Sequence, residues 1–249
     1  MREQNTHVIK ICGLSQLEHM VIAAESGVDL VGMVFVPGVR RKIDTTTARN
    51  IVVNFRKRFP DRPKIVGLFA NQPLRTVNHI SEAVRLDWIQ LCGQEDEIYW
   101  ANIKRPFMQV IHVPDPPIEG TNDIINNVVI GPETVMRHYR ASTLALLTRR
   151  LDLINQNGGL GILDRESSEQ PGGLGQPFDW TLAQELAEKH YRFILAGGLN
   201  PDNINQALLI ARPYGVDVSS GVETNGKKDP AKIVAFVQQI RGNRQLQKK

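Results

Sequence analysis

The sequence is short of several things at once. It has two cysteines in 249 residues, Cys12 and Cys92, and neither has the second member of a CxxC pair nearby. That argues against a disulfide framework or a zinc site and makes free thiols the default. No run approaches the ~18 apolar residues of a membrane span, and the opening MREQNTH lacks the apolar centre of a signal peptide. A cytoplasmic location and no membrane partner are therefore expected. No GxGxxG follows any apolar run, and the six histidines form no HExxH or other ligand spacing, so neither a dinucleotide nor a metal is expected. Charge of one sign is also scarce: 30 basic side chains against 26 acidic ones leave +4. The ending RGNRQLQKK, with Arg241, Arg244, Lys248 and Lys249 and no acid, accounts for that whole excess. A nucleic-acid footprint needs basic residues on a folded face, so no nucleic-acid partner is expected.

What is present is a core. Apolar residues make up 41% and charged residues 22%, which excludes a disordered or fibrous chain. Runs rich in Val, Ile and Leu predict eight strands: 8–12, 29–36, 64–70, 87–91, 108–113, 160–164, 192–196 and 214–219. Helix punctuation lies between them. Ser15-Gln16-Leu17-Glu18 is a capping-box pattern, and Asn200-Pro201 and Asp229-Pro230 each set a capping side chain before a proline. Strands separated by helices are expected to be parallel. Eight such units in one chain of 249 residues predict an α/β fold, a closed parallel (β/α)8 barrel of the TIM class, as a single domain with its core at about 8–240. An open doubly wound sheet is the second choice. The connection after the fifth strand, 114–158, is enlarged, and within it Leu144, Leu147, Leu151 and Ile154 form a helical apolar stripe. Arg137, Arg140, Arg149 and Arg150 are expected to face water.

In such barrels the site is assembled by loops at the carboxyl ends of the strands. The residues there are Cys12, Arg41 in the loop after the second strand, Cys92, Asp164, Gly197-Gly198 and Ser219-Ser220-Gly221. Cys12 reads either as a packing residue or as a base, the latter only where a cation or helix end lowers its pKa. Asp164 reads either as a turn cap or as a general acid tuned by burial. LAGGLNPDN and VDVSSGVE follow the seventh and eighth strands, where barrels frequently hold a phosphate on backbone amides; tight turns are the alternative reason for their glycines. Arg41, within the basic cluster RRK, is either ordinary surface charge or a two-pronged donor for a carboxylate.

Taken together, KICGL (10–14), FVPGVRRKI (35–43), VGLFAN (66–71), DWIQLCGQE (87–95), ILD (162–164), GGLGQPFDW (172–180), LAGGLNPDN (195–203) and GVDVSSGVETNGKKD (215–229) resemble the phosphoribosylanthranilate isomerases of tryptophan biosynthesis. The likeness runs in order from residue 8 to about 240 and fails mainly at 114–158. It implies an Amadori rearrangement of a small phosphosugar-anthranilate substrate, with Cys12 as general base and Asp164 as general acid. It further implies Arg41 on the anthranilate carboxylate, Gly197, Gly198, Ser219, Ser220 and Gly221 on the phosphate, and Cys92 and Asp217 as further substrate contacts. No electrons leave the substrate, so no cofactor is expected, and the working form is expected to be a monomer or homodimer. Most family members have histidine where Cys92 stands, serine where Val39 stands and serine or threonine where Leu174 stands. Two other readings remain: the analogous isomerase of histidine synthesis, which usually has aspartate at the first-strand position, and a phosphosugar-binding barrel without catalysis.

Overall fold

Alternation along short strands decides which residue faces which layer. In β1 (Val8–Ile11), Ile9 and Ile11 are fully buried against the helices, while Val8, Lys10 and, one step past the strand, Cys12 fall on the opposite face. A computed structural model describes residues 7–118, 120, 123–125, 128–165 and 179–242. In it β1 is followed by β2 (Leu30–Val34), β3 (Lys64–Phe69), β4 (Trp88–Leu91), β5 (Phe107–Val113), β6 (Leu160–Arg165), β7 (Phe193–Leu195) and β8 (Gly215–Val218). Each pairs in parallel with its neighbour in the chain, and β8 closes on β1 from Val8↔Gly215 to Ile11↔Val218. All eight predicted strands are present, and the sheet is a closed parallel barrel.

Two cores follow from that closure. Inside the ring, Leu30, Val34, Val66, Leu68, Met108, Val110, Ile162, Ile194 and Ala196 pack together with Cys12. Outside it, Ile9, Ile11, Ile65, Phe69, Ile89, Leu91, Phe107, Ile111 and Val113, all odd-numbered, belong to the core shared with the returning helices. Those helices are α1 (Leu17–Glu25), α2 (Thr45–Arg58), α3 (Leu74–Val84), α4 (Glu97–Ala101), α5 (Pro132–Gln156), α6 (Trp180–Glu188), α7 (Ile204–Ala211) and α8 (Pro230–Gly242). The inner stripe, continued past the strand ends, becomes the floor and wall of the site.

Several local expectations need correction. The Ser15 capping box does not form: Gln16 holds the cap position of α1, with no side-chain cap bond. Asn200 caps a turn rather than α7 itself, its Oδ1 accepting from the amides of Asp202 (2.8 Å) and Asn203 (3.1 Å) before the helix starts at Ile204. Asp229 behaves as expected and accepts from the Ala231 amide at 2.9 Å. In the enlarged connection, Leu147, Leu151 and Ile154 are buried and Leu144 packs partly against the core. Arg137 and Arg149 are exposed, but Arg140 is half-buried against Asp179 and Glu185, and Arg150 lies 5.9 Å over the Trp100 ring. The Arg140 charge is thereby paired with carboxylates and that of Arg150 with an aromatic face. The connection also holds an antiparallel pair, Asp123–Ile125 with Val128–Ile130, that the apolar pattern did not reveal. Most of GGLGQPFDW, Leu174 included, and the tail from 243 lie outside the described residues. Among those described, no helix is long and apolar enough to cross a membrane. At the seam, Arg241 of α8 donates to the His7 carbonyl (3.0 Å) and to Asp29 (2.7 Å).

Candidate active site

The carboxyl ends of the strands surround a cavity of about 480 Å³. Its lining includes Cys12, Arg41, Cys92, Asp164, Gly197, Gly198, Asp217, Ser219, Ser220 and Gly221. The structure thus brings every site candidate read from the sequence to one wall or another of the same space. Val39, exposed in the β2 loop, lines it as well.

Beneath the cavity lies an ion pair. Lys10 is 0% exposed, and its Nζ donates to Asp217 Oδ2 at 2.7 Å, joining residues that face each other across the β1–β8 seam. A lysine cannot be held charged in an apolar interior without such a partner. Burial works against the Lys10 charge, but Asp217, joined by Cys12 and Cys92, brings the pKa above the ordinary value. Asp217 Oδ1 has no hydrogen-bond partner among the described residues, and neither does Gln90 Oε1. Both side chains line the cavity, so two buried acceptors are placed where a ligand hydroxyl could satisfy them.

The two thiols differ. Cys12 is held by its amide, which donates to the Val218 carbonyl at 2.8 Å. Burial raises its pKa, Lys10 pulls it back, Asp217 pushes it up again and Lys228 opposes that. Cys92 is pushed up to about 12 by burial and then by Cys12, against smaller opposing effects of a 3.5 Å contact from Gln90 Nε2 and of the Lys10 charge. Of the two, Cys12 feels Lys10 as its largest influence after burial and Lys228 besides, whereas Lys10 ranks low among the influences on Cys92, which stays a thiol.

Asp164, on β6, stands opposite His112 of β5 in the parallel register. Burial, followed by the like charge of Asp217, raises its pKa to about 6, against smaller opposing effects of His112, the Arg165 amide and Lys10. Gly197, in the left-handed region at φ 81°, makes room for it: a Cβ there would stand 3.0 Å from Asp164 Oδ1 and 2.9 Å from the Arg165 nitrogen. At Gly221 a Cβ would stand 1.8 Å from the Leu199 carbonyl oxygen, so glycine lets the β7 and β8 loops touch. The packing of the loops is therefore already a reason for glycine at both positions.

Arg41 is not loose surface charge. Its Nε and Nη2 donate to Glu223 Oε1 and Oε2 at 2.7 and 3.0 Å. Lys10, Gln90, His112, Glu223 and Lys228 were not singled out from the sequence. For Lys10 and Gln90 a signal existed: each lies two residues before a cysteine in a strand, on the same inward face. His112 likewise ends the inward series Met108, Val110, His112. Among the described residues no cluster of three His, Cys, Asp or Glu side chains could hold a metal ion.

The model of the N-(5'-phosphoribosyl)anthranilate (PRA) isomerase family matches residues 9–126 and 148–239. The chain belongs to the phosphoribosylanthranilate isomerase family. The unmatched interval, 127–147, falls inside the enlarged connection. A phosphoribosylanthranilate isomerase of Dehalococcoides mccartyi is 37% identical over 238 residues, covering 94% of this chain and 97% of that one. The isomerase of Pelobacter propionicus is 34% identical, with 92% and 93% covered. Among solved structures, the isomerase of Thermotoga maritima superposes with a TM-score of 0.72 at 29% identity, covering 95% of this chain and 99% of that one. A phosphoribosylanthranilate isomerase in complex with reduced 1-(o-carboxyphenylamino)-1-deoxyribulose 5-phosphate superposes at 0.70 with 28% identity and the same coverage.

Proposed function

We propose that this chain converts N-(5-phosphoribosyl)anthranilate into 1-(2-carboxyphenylamino)-1-deoxyribulose 5-phosphate, with Asp164 as general acid and Cys12 as general base. The reaction opens the ribose ring, and the ring oxygen must be protonated as the C1–O bond breaks. A carboxyl held near 6 by burial still carries a proton close to neutrality and suits that step. The Schiff-base cation that results acidifies the proton on C2. Cys12 accepts it, aided by Lys10, by Lys228 and by the cation itself. The enolamine then tautomerises to the ketose, and no electrons leave the substrate.

Binding follows the chemistry of the lining. Arg41 takes the anthranilate carboxylate, and Gly197, Gly198, Ser219, Ser220 and Gly221 take the phosphate. The unpartnered Asp217 Oδ1 accepts a sugar hydroxyl, and Cys92 packs as a neutral thiol. A cytoplasmic monomer or homodimer, working on this substrate without a cofactor, completes the proposal. The observation that carries it is the placing of the better-supported thiol and the raised carboxyl on one cavity within this family's barrel. The test is turnover of phosphoribosylanthranilate by the wild type, Cys12→Ser and Asp164→Asn. Both variants are expected to lose most turnover yet still bind the reduced product analogue. A wild type that binds the analogue and never turns the substrate over would leave only a phosphosugar-binding barrel.

A further inference from the structure

The turn that follows the phosphate loop is built around an Asn-Gly pair. Asn225 and Gly226 have φ of 50° and 74°, and they fold Glu223–Thr224 back on Lys227–Lys228 so that Glu223 faces Lys228 directly. The Glu223 carboxylate, 6% exposed, collects three cations: Arg41 as described, Arg40 Nη2 at 2.8 Å and Lys228 Nζ at 2.9 Å. Lys228 in turn donates to the Ser219 carbonyl at 2.7 Å and stands 3.4 Å from Ser219 Oγ. Arg41 and Ser219 line the cavity, whereas Glu223 and Lys228 stand behind them.

We propose that Glu223 is a positioning residue that fixes both ends of the substrate at once, through Arg41 at the carboxylate end and through Lys228 and Ser219 at the phosphate end. This rests on the roles given above to Arg41 and to the 219–221 loop. Two hydrogen bonds from one edge of the Arg41 guanidinium set its plane and leave its position little freedom. The Lys228 ammonium, 4% exposed, is shared between the carboxylate and the loop backbone, so the loop cannot shift without breaking a charged contact. One carboxylate thus registers two binding groups that belong to different strands.

Positioning and simple charge balance predict opposite signs. If Glu223 only offset neighbouring cations, removing its charge would tighten the binding of anions. If it positions them, removal loosens both ends. Calorimetric titration with anthranilate and, separately, with inorganic phosphate is to be run on the wild type, Glu223→Gln and Glu223→Asp. Glu223→Gln is expected to weaken each probe roughly tenfold, and Glu223→Asp, which keeps the charge but withdraws it by one methylene, to weaken both by less. With the full substrate KM rises more than kcat falls, because neither reacting group is touched. The double variant Glu223→Gln/Arg41→Ala binds anthranilate no worse than Arg41→Ala alone. Unchanged or tighter binding of either probe in a folded Glu223→Gln overturns the proposal. If that variant does not fold, the same result in Glu223→Asp overturns it. A wild type that binds neither probe would overturn the site reading together with this one, whereas binding of both with no effect of Glu223 would overturn this one alone.

Discussion

Burial is the largest influence on the reacting group at each corner of the cavity, but the company there is unequal. At the base corner, between β1 and β8, the largest influence on Cys12 after burial is the cation of Lys10. At the acid corner, between β5 and β6, the largest influence on Asp164 after burial is the anion of Asp217. These are the two halves of one ion pair. Burial alone moves both groups the same way, which helps an acid keep its proton and hinders a base from losing one. An ion pair whose positive end acts mainly on the thiol and whose negative end acts mainly on the carboxyl separates the two roles.

The largest effects expected are on turnover. Cys12→Ser and Asp164→Asn each lose on the order of 100- to 10,000-fold in kcat, the range for a lost acid-base group. They differ in isotope sensitivity. With substrate deuterated at C2, the rate ratio grows in Cys12→Ser and shrinks in Asp164→Asn, where ring opening becomes limiting. Equal ratios in the two would erase the distinction between the corners.

Next in size is the ion pair. Lys10→Met leaves Asp217 buried without its cation, and chemical denaturation is expected to show a loss of about 3–5 kcal/mol. In the same variant, on a Cys92→Ser background, alkylation of Cys12 shifts to higher pH. A thiol that titrates unchanged would show that Lys10 supports the fold but not the base.

The acid corner carries its own stability cost. Asp164 rises from an ordinary 3.8 to about 6. The folded state therefore binds the extra proton between those values, and the stability this gives, present below about pH 4, is lost as pH rises through about 6. Asp164→Asn escapes that loss, so its advantage over the wild type is expected to grow across this window to on the order of 3 kcal/mol at most. Parallel denaturation curves at pH 4 and 8 measure it.

The smallest effect is a shift in the pH profile. Asp164 titrates below Cys12, so catalysis uses the fraction of molecules with the carboxyl protonated and the thiol ionised. The product of the two fractions rises with pH up to about 6 and then levels, so the ascending limb of kcat/KM belongs to the acid. His112 lowers the Asp164 pKa, so His112→Asn is expected to move that limb upward by less than one pH unit. A downward move would reverse the sign assigned to the imidazole.

How much of this was legible depends on the reach of the interaction. The strands were readable because each buries a short Val-, Ile- or Leu-rich run, and the strand-end positions of Cys12 and Asp164 followed from the barrel. Lys10 and Asp217 stand 207 positions apart, and nothing local announces that closure of the ring will set them side by side. Strand parity did put Lys10 on the same face as Cys12, so half of the pair could have been read. The Glu223 turn had a local signal in Asn225-Gly226, whereas the reach of Arg41 across to it comes from the seam. Ser15 failed as a cap because the pattern states what a side chain can accept, while the path of the chain out of β1 decides where the helix starts.

The contact of Arg241 with His7 fixes where the molecule can be tethered. Strands run toward the cavity and helices run back, so the first strand begins and the last helix finishes at the far pole. A polypeptide grafted onto either would project away from the mouth, and splicing residue 242 to residue 7 while cutting a connection elsewhere would reorder the chain without obstructing substrate access.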